Sequence, residues 1–405
     1  MFFGYGNPVS DRARLPIFDE IERTLGRPAS YAEPTFTFLN RIGGEFWDDV
    51  RRLLQTWADR FPDGNDYADL RSRLRSRDNE QHRSALLELY LHESLLRAGY
   101  EVTIHPTVDG SKRHPDFLAI GESSSFYLEA VAPSKGRNAI ARERRTSRLY
   151  DVLDQVQNPN FYLHIQDYSQ GPKDASAAKL KRDIERWLDT LNPDDIAYDN
   201  APVFNWANDG WHIDIRPIPI RADRRGEGSR GRAIGISGPG RAASKDDAPA
   251  ILRALESKRI AYGRLDRAYI VAVGTDIFGN HKWDVENALY GPDVLRFGPD
   301  PDDVTRGHEG RGFFLEAGNW RNKHVSAVLA VNGLSAWKPT GTVATLWKHP
   351  QATAPISGDL DLAAAQIELQ GDELIELEPR RTVAELLDLS EPWPSADPWS
   401  NRSPV

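Results

Sequence analysis

The sequence predicts an α/β protein in which helices flank a mixed β-sheet, with a helical N-terminal extension and an α+β C-terminal region. Three observations predict this class. Apolar residues over 45–61 recur at steps of one, three and four, which is typical of an amphipathic helix. After Gly99 the pattern of apolar residues changes to one that is typical of β-strands. A helical stretch at 249–262 then precedes a strongly apolar strand at 268–273. Alternating helices and strands favour a sheet covered by helices.

The individual elements follow in chain order. The first forty residues are rich in Pro and Gly and predict an extended arm. Two further helices are expected at 67–77 and 80–98, where Gly99 stands as the C-cap. The remaining expectations are strands at 100–105, 116–120, 126–132, 161–167, 211–220, 325–331 and 341–346, helices at 142–156 and 177–191, a mobile loop or loose hairpin at 222–247 and a long Gly/Pro/Asp-rich segment at 291–312.

A sheet of four to six strands and three regions are expected from this order. Residues 1–78 form the N-terminal arm and helical extension. Residues 79–275 form the α/β core, interrupted by an insertion at about 137–247. Residues 276–405 form the C-terminal α+β region with its acidic tail.

Composition excludes several classes of protein. The chain has 405 residues, 40% of them hydrophobic and 27% charged, as in globular domains. With no cysteine, it has no disulfide framework, thiolate zinc site or cysteine nucleophile. No apolar run reaches the ~20 residues of a membrane span, and the N-terminus lacks a secretion signal. The expectation is a cytoplasmic, soluble protein.

Charge is unevenly distributed around a net value of −9. Segment 221–245 carries seven basic residues, and a second basic run spans 137–148. The first segment is either a solvated loop or a phosphate-contacting surface through Arg224, Arg225, Arg230 and Arg232. Segment 359–397 carries eleven acidic residues. It is either a solvated face, a mimic of nucleic acid, or a docking region for a homodimer or a partner protein.

The most informative stretch holds Asp116 and Glu129. If the hairpin turn is centred between Glu122 and Ser123, paired residues sum to 245, and Asp116 lies opposite Glu129. Opposed residues have Cβ atoms ~4.5–5.5 Å apart. Two carboxylates that close on an apolar strand pair repel each other and are poorly solvated. A divalent cation with hard oxygen ligands resolves both problems, which predicts a magnesium site.

Glu88 in the preceding helix is a third candidate ligand. It shares a helical face with Leu91, His92 and Leu95, whereas Glu93 lies on another face and is the weaker choice. The alternative for Glu88 is a surface ion pair with Arg83 or Arg97. His92 and His114 lack the spacing of a zinc site.

The helix with Glu88, the Gly-Tyr junction, the His-Pro-Asp strand and the Leu-Glu-Ala-Val strand together resemble the PD-(D/E)XK, or restriction-endonuclease-like, nuclease superfamily. The resemblance covers 79–132 and returns at 249–274. It implies a restriction-endonuclease-like core and a metal-dependent deoxyribonuclease that uses Mg²⁺ or Mn²⁺, of the kind that defends against foreign DNA. Asp116, Glu129 and Glu88 would hold the metal.

The chain departs from this family at the motif lysine, whose position is occupied by Val131. Lys258 is the first substitute, because Lys258 and Tyr262 resemble the Gln-x-x-x-Tyr helix motif of the exonuclease branch, with Lys for Gln. Their i, i+4 spacing places both on one helical face. Lys135, just beyond the strand, is the second substitute. With neither lysine in reach, the expectation becomes a catalytically inactive nuclease fold that binds nucleic acid or a partner protein.

Overall fold

The computed structural model is a mixed α/β structure with a large mixed sheet flanked by helices. The residues that it describes are 14–24, 26–134, 136–197, 200–226, 232–234, 247–259, 262, 265–277, 279–297, 304–358, 360–371 and 373–399.

Nine α-helices are present in those ranges. They are α1 (Thr35–Arg41), α2 (Glu45–Asp59), α3 (Asn65–Leu74), α4 (Asn79–Arg97), α5 (Gly136–Asp154), α6 (Ala177–Leu188), α7 (Ala248–Lys258), α8 (His281–Tyr290) and α9 (Val383–Leu387).

Fifteen strands occur in the same described part of the chain. They are β1 (Glu101–Ile104), β2 (Phe117–Ile120), β3 (Ser125–Val131), β4 (Phe161–Ser169), β5 (Phe204–Asn208), β6 (Trp211–Pro219), β7 (Ala268–Thr275), β8 (Asp293–Phe297), β9 (Val304–His308), β10 (Leu315–Glu316), β11 (Asn319–Trp320), β12 (Ala327–Asn332), β13 (Val343–Lys348), β14 (Ala364–Gln370) and β15 (Glu373–Leu377).

The main sheet has eight strands in the order β1-β2-β3-β7-β12-β13-β14-β15. Its first three strands form an antiparallel meander. The central strands β3, β7 and β12 run parallel to one another. β7 and β12 are almost entirely apolar, as expected of strands that are covered on both faces, whereas β3 carries Glu129 within its apolar run.

The β2–β3 hairpin has the register that the sequence predicts. Phe117 pairs with Leu128 and Ile120 with Ser125, so paired residues sum to 245. Asp116 precedes β2 by one residue and continues this register towards Glu129.

Two apolar layers cover the sheet. One layer contains α1–α4 and α9 and packs on Phe126, Leu128 and Ala130. The other contains α7 and α8 and packs on the opposite side of β3, beside Tyr127 and Val131. Because side chains alternate along a strand, Glu129 projects into the second layer, towards α7.

The elements between 136 and 247 form a sheet of their own, in the order β4-β6-β5. Helices α5 and α6 pack on this sheet around a separate apolar cluster that includes Trp206 and Trp211. The insertion is therefore built around its own core, between β3 and α7.

Several sequence expectations are wrong. The main sheet has eight strands, not four to six, because strands after residue 275 extend it across the predicted boundary at 275/276. The first forty residues contain the start of α1 instead of only an extended arm. Within the Gly/Pro/Asp-rich segment 291–312, β8 and β9 pair in antiparallel fashion. Helix α7 ends at Lys258, so Tyr262 lies beyond it.

Part of the acidic tail is neutralised within the fold. Glu368 pairs with Lys348, Glu376 with Lys282, and Asp361 with Arg381. Among the described residues, every helix is too short or too polar to cross a membrane.

Candidate functional site

The candidate site is built around Asp116 and Glu129, whose carboxyl groups converge at one end of the β2–β3 hairpin. The Ala130 N–H donates to Asp116 Oδ2 at 2.7 Å. The Asp116 N–H points at Glu129 Oε2 at 3.3 Å. Each carboxylate therefore contacts the backbone of the strand that carries the other. Glu129 is 2% exposed, so its charge needs partners within the protein.

The surroundings of Asp116 disfavour its ionised form. Burial, followed by the charges of Glu129 and Glu88, raises the pKa of Asp116 to about 8, although the Ala130 N–H and Lys258 act in the opposite direction. A carboxyl group that is buried beside two other carboxylates is stabilised by added positive charge.

Lys258 and Tyr262 both reach Glu129. The Lys258 ammonium donates to Oε1 and the Tyr262 hydroxyl donates to Oε2. Lys258, the first expected substitute for the motif lysine, therefore lies within hydrogen-bonding distance of Glu129, although α7 ends at this residue. A catalytic role for either side chain remains a prediction.

The acids also keep Lys258 charged. Burial alone would lower the pKa of Lys258, but the charge and hydrogen bond of Glu129, with Asp116 and Glu88, raise it overall. Burial and the negative charge of Glu129 likewise raise the pKa of Tyr262, so its hydroxyl stays protonated and acts as a donor.

Tyr269 on β7 is a neighbour that sequence reasoning missed. Its ring packs edge-on against Tyr262, with 5.8 Å between ring centroids. Its hydroxyl points at the Lys258 carbonyl at 3.5 Å. It therefore contacts the two residues that hold Glu129. No local spacing signals this contact, because β7 follows α7 and pairs with β3 only in the folded sheet.

Glu88 is bound by a residue that the sequence did not indicate. Arg73 on α3 donates to both Glu88 oxygens, each at 2.6 Å. The expected alternative of a pair with Arg83 or Arg97 is therefore wrong. Arg97 instead binds Glu93, which is fully buried and also accepts from Arg60. The charge of Glu88 also raises the pKa of Asp116 and the pKa of Lys258.

The other singled-out residues have identifiable surroundings. Val131 packs in the second apolar layer. His114 Nδ1 contacts the Pro106 carbonyl at 3.0 Å. His92 is buried between the rings of Phe61 and Phe117.

The basic segment after β6 is only partly free to contact phosphate. Arg224 is exposed. Arg225 binds Asp194 and the Ile220 carbonyl. Arg232 donates to the Ala29 carbonyl and lies over the Tyr31 ring. Lys135 and Arg230 lie outside the described residues.

The donor set fits a divalent cation bound by two carboxylates. Asp116 and Glu129 supply hard oxygen atoms, and Mg²⁺ commonly takes one or two carboxylates and completes its shell with water and phosphate. Both oxygens of Glu88, the expected third ligand, already accept hydrogen bonds from Arg73, just as both oxygens of Glu129 accept from Lys258 and Tyr262. Within the described ranges, no group of three or more His, Asp or Glu side chains is arranged to hold a metal ion.

Comparisons of the chain with protein-family models, with curated proteins and with solved structures found no match.

Proposed function

We propose that the protein is a metal-dependent nuclease with a restriction-endonuclease-like core, which hydrolyses phosphodiester bonds of DNA in defence against foreign DNA. The observation that carries the proposal is the convergence of Lys258 and Tyr262 on Glu129, beside Asp116. Two acids from one hairpin and a cation from a following helix form a charge arrangement suited to a phosphate and a divalent cation.

Asp116 and Glu129 would hold Mg²⁺ or Mn²⁺ through their carboxylate oxygens. When bound, such an ion activates water and offsets the charge on the phosphate.

Lys258 supplies a positively charged group that Glu129 holds in place. Its ammonium has three donors; one binds Glu129, and the others are available to a non-bridging phosphate oxygen. This contact stabilises the charge that develops as water attacks phosphorus and the bond to the leaving oxygen breaks. Tyr262 orients Glu129 by holding its second oxygen, and Arg73 holds both oxygens of Glu88, whose charge raises the pKa of Asp116.

The test is cleavage of plasmid and single-stranded DNA with Mg²⁺ or Mn²⁺. Asp116→Ala and Glu129→Ala should each lower the rate by at least about 10²-fold. Asp189→Ala, which changes an exposed acid in the insertion, is the matched control and should cleave normally. Cleavage that is unaffected by both site variants would mean a different site or a contaminating enzyme, and the proposal would fail.

A second candidate is an inactive nuclease fold that binds nucleic acid or a partner protein. Two observations favour it: Val131 packs as an apolar residue in place of the motif lysine, and Glu88 is sequestered by Arg73. DNA binding without cleavage under either metal would select this candidate.

A further inference from the structure

A basic groove runs along α5, outside the acid site. It has a volume of about 570 Å³ and is lined mainly by Arg137, Arg144, Arg145, Arg148 and Lys173. Arg137, Arg144 and Arg148 are separated by seven and four residues, so they form one stripe along the helix. At 1.5 Å per residue, the stripe is roughly 16 Å long.

The acidic residues in this groove are already engaged. Asp174 pairs with Arg148. Asp78 is the N-cap of α4 and accepts from the Glu80 N–H. The lining holds five basic and two acidic side chains, and Arg148, one of the five, is paired with Asp174, so the groove carries excess positive charge.

Helix stability does not account for these arginines. The first turn of α5 contains Arg137 and no acid, which is the unfavourable arrangement at the positive end of a helix dipole. Arg144 and Arg148 are a like-charged i, i+4 pair, which also opposes helix formation. Arg137, Arg142 and Arg144 are exposed, and within the described part of the chain their side chains make no hydrogen bond or ion pair.

The groove borders the elements that carry the acid site. Helix α5 starts five residues after the end of β3, the strand of Glu129. Asp78, on the groove wall, caps the helix that carries Glu88. Another face of α5, with Ala139 and Glu143, lines a cavity of about 560 Å³ that also includes Ala132 and Pro133 at the end of β3.

We propose that the α5 groove binds the phosphodiester backbone of DNA and leads the strand towards Asp116 and Glu129. This inference rests on the proposed nuclease function and adds to the acid site a surface that would hold its DNA substrate. Arginine stripes neutralise successive phosphates without reading sequence, so the binding is strongly dependent on salt and weakly dependent on sequence.

The experiment measures fluorescence anisotropy of a labelled DNA duplex and of its single strand, with a chelator present, in the Asp116→Ala background. Because no cleavage is needed, binding is separated from catalysis. Affinity is measured from about 50 to about 200 mM salt, since the slope of log affinity against log salt falls by about one for each lost phosphate contact.

The double variant Arg137→Ala/Arg144→Ala is expected to bind about tenfold more weakly at low salt and to lower the slope by about two. The matched control is Arg182→Ala/Arg186→Ala, which removes the same charge from α6 and should bind like the parent. The thermal midpoint of the α5 variant should be unchanged or higher, because it removes an unfavourable dipole contact and a like-charge pair. A merely structural role would lower it.

Each outcome decides one of the two proposals. If the α5 variant binds like the parent, or if the α6 control weakens binding equally, the groove proposal is overturned and the nuclease proposal stands on its cleavage test. If binding weakens as expected but the unmutated protein never cleaves DNA, the groove proposal is supported and the nuclease proposal fails. If no DNA binds at any salt concentration, the groove proposal is wrong.

Discussion

Replacing Asp116 by Asn is expected to stabilise the metal-free protein. Burial and the charges of Glu129 and Glu88 raise the pKa of Asp116 to about 8 from an ordinary value of 3.8. The unfolded chain therefore gives up this proton at a lower pH than the folded protein. Ionisation of Asp116 consequently opposes folding. Asn keeps an oxygen for the Ala130 N–H but has no charge to bury.

The size of the effect follows from the shift. One pKa unit corresponds to about 1.4 kcal/mol, so the penalty at neutral pH is at most about 4 kcal/mol. Because the folded-state pKa is raised, the penalty is absent below about pH 4, grows as pH rises, and is complete above about pH 8. The Asn variant should gain stability over the same window.

The assay is chemical denaturation of both proteins in a chelator at several pH values. Asp19→Asn is a control of opposite sign, because hydrogen bonds from Arg75 and Asn40 lower the pKa of Asp19. That variant should be destabilised at neutral pH, and its deficit should shrink as pH falls through the lowered pKa. Added Mg²⁺ should stabilise the unmutated protein but not Asp116→Asn. A stability difference for Asp116→Asn that does not change between about pH 4 and about pH 8 would refute the reasoning.

Three further predictions concern Lys258, Arg73 and His92. Lys258→Ala should lower DNA cleavage by about 10²–10³-fold with unchanged circular dichroism, and Lys258→Arg should restore little, because a planar fork does not replace a compact ammonium; full rescue by Arg would contradict this. Arg73→Ala should lower the free energy of unfolding by about 3 kcal/mol, because it leaves Glu88 largely buried without its partner. Chemical denaturation should show that Arg73→Ala/Glu88→Gln recovers most of this loss. No recovery would mean that the unpaired charge of Glu88 is not the cause. Burial, followed by the charge of Arg60, lowers the pKa of His92 from 6.5 to about 4. Up to about 3 kcal/mol of stability should therefore be lost as the pH falls from 6.5 to about 4, because the unfolded chain binds the proton first. His92→Leu should lose less stability in the same titration, and an equal loss would contradict this prediction.

Local sequence was sufficient to predict the hairpin and its register. The polar turn at 121–124 and the apolar alternation on either side of it admit one pairing that keeps both strands in the core, since a slip of one residue inverts a strand. That pairing brings Asp116 to Glu129. The helix of Glu88 was also predicted from sequence, with Gly99 at its end, whereas the cap that Asp78 forms at its start was found only in the structure.

The reach of Lys258 to Glu129 was predicted from resemblance and spacing, and the structure agrees on the contact. Helix α7 ends at Lys258, so Lys258 and Tyr262 do not lie on one helix as their i, i+4 spacing implied. The contact depends on β3 and β7 being parallel neighbours, across an insertion with its own core.

Tertiary structure alone decided which cation binds Glu88 and how far the sheet extends. Arg73 and Glu88 lie on different helices, and no periodicity within one helix reveals such a pair. The sequence predicted strands close to β12 and β13, and β14 and β15 lie in the acidic segment. Their place in one eight-stranded sheet depends on pairing between distant segments. Sequence patterns determine local elements because they act over a few residues, whereas partners across elements are chosen by the packing of the whole chain.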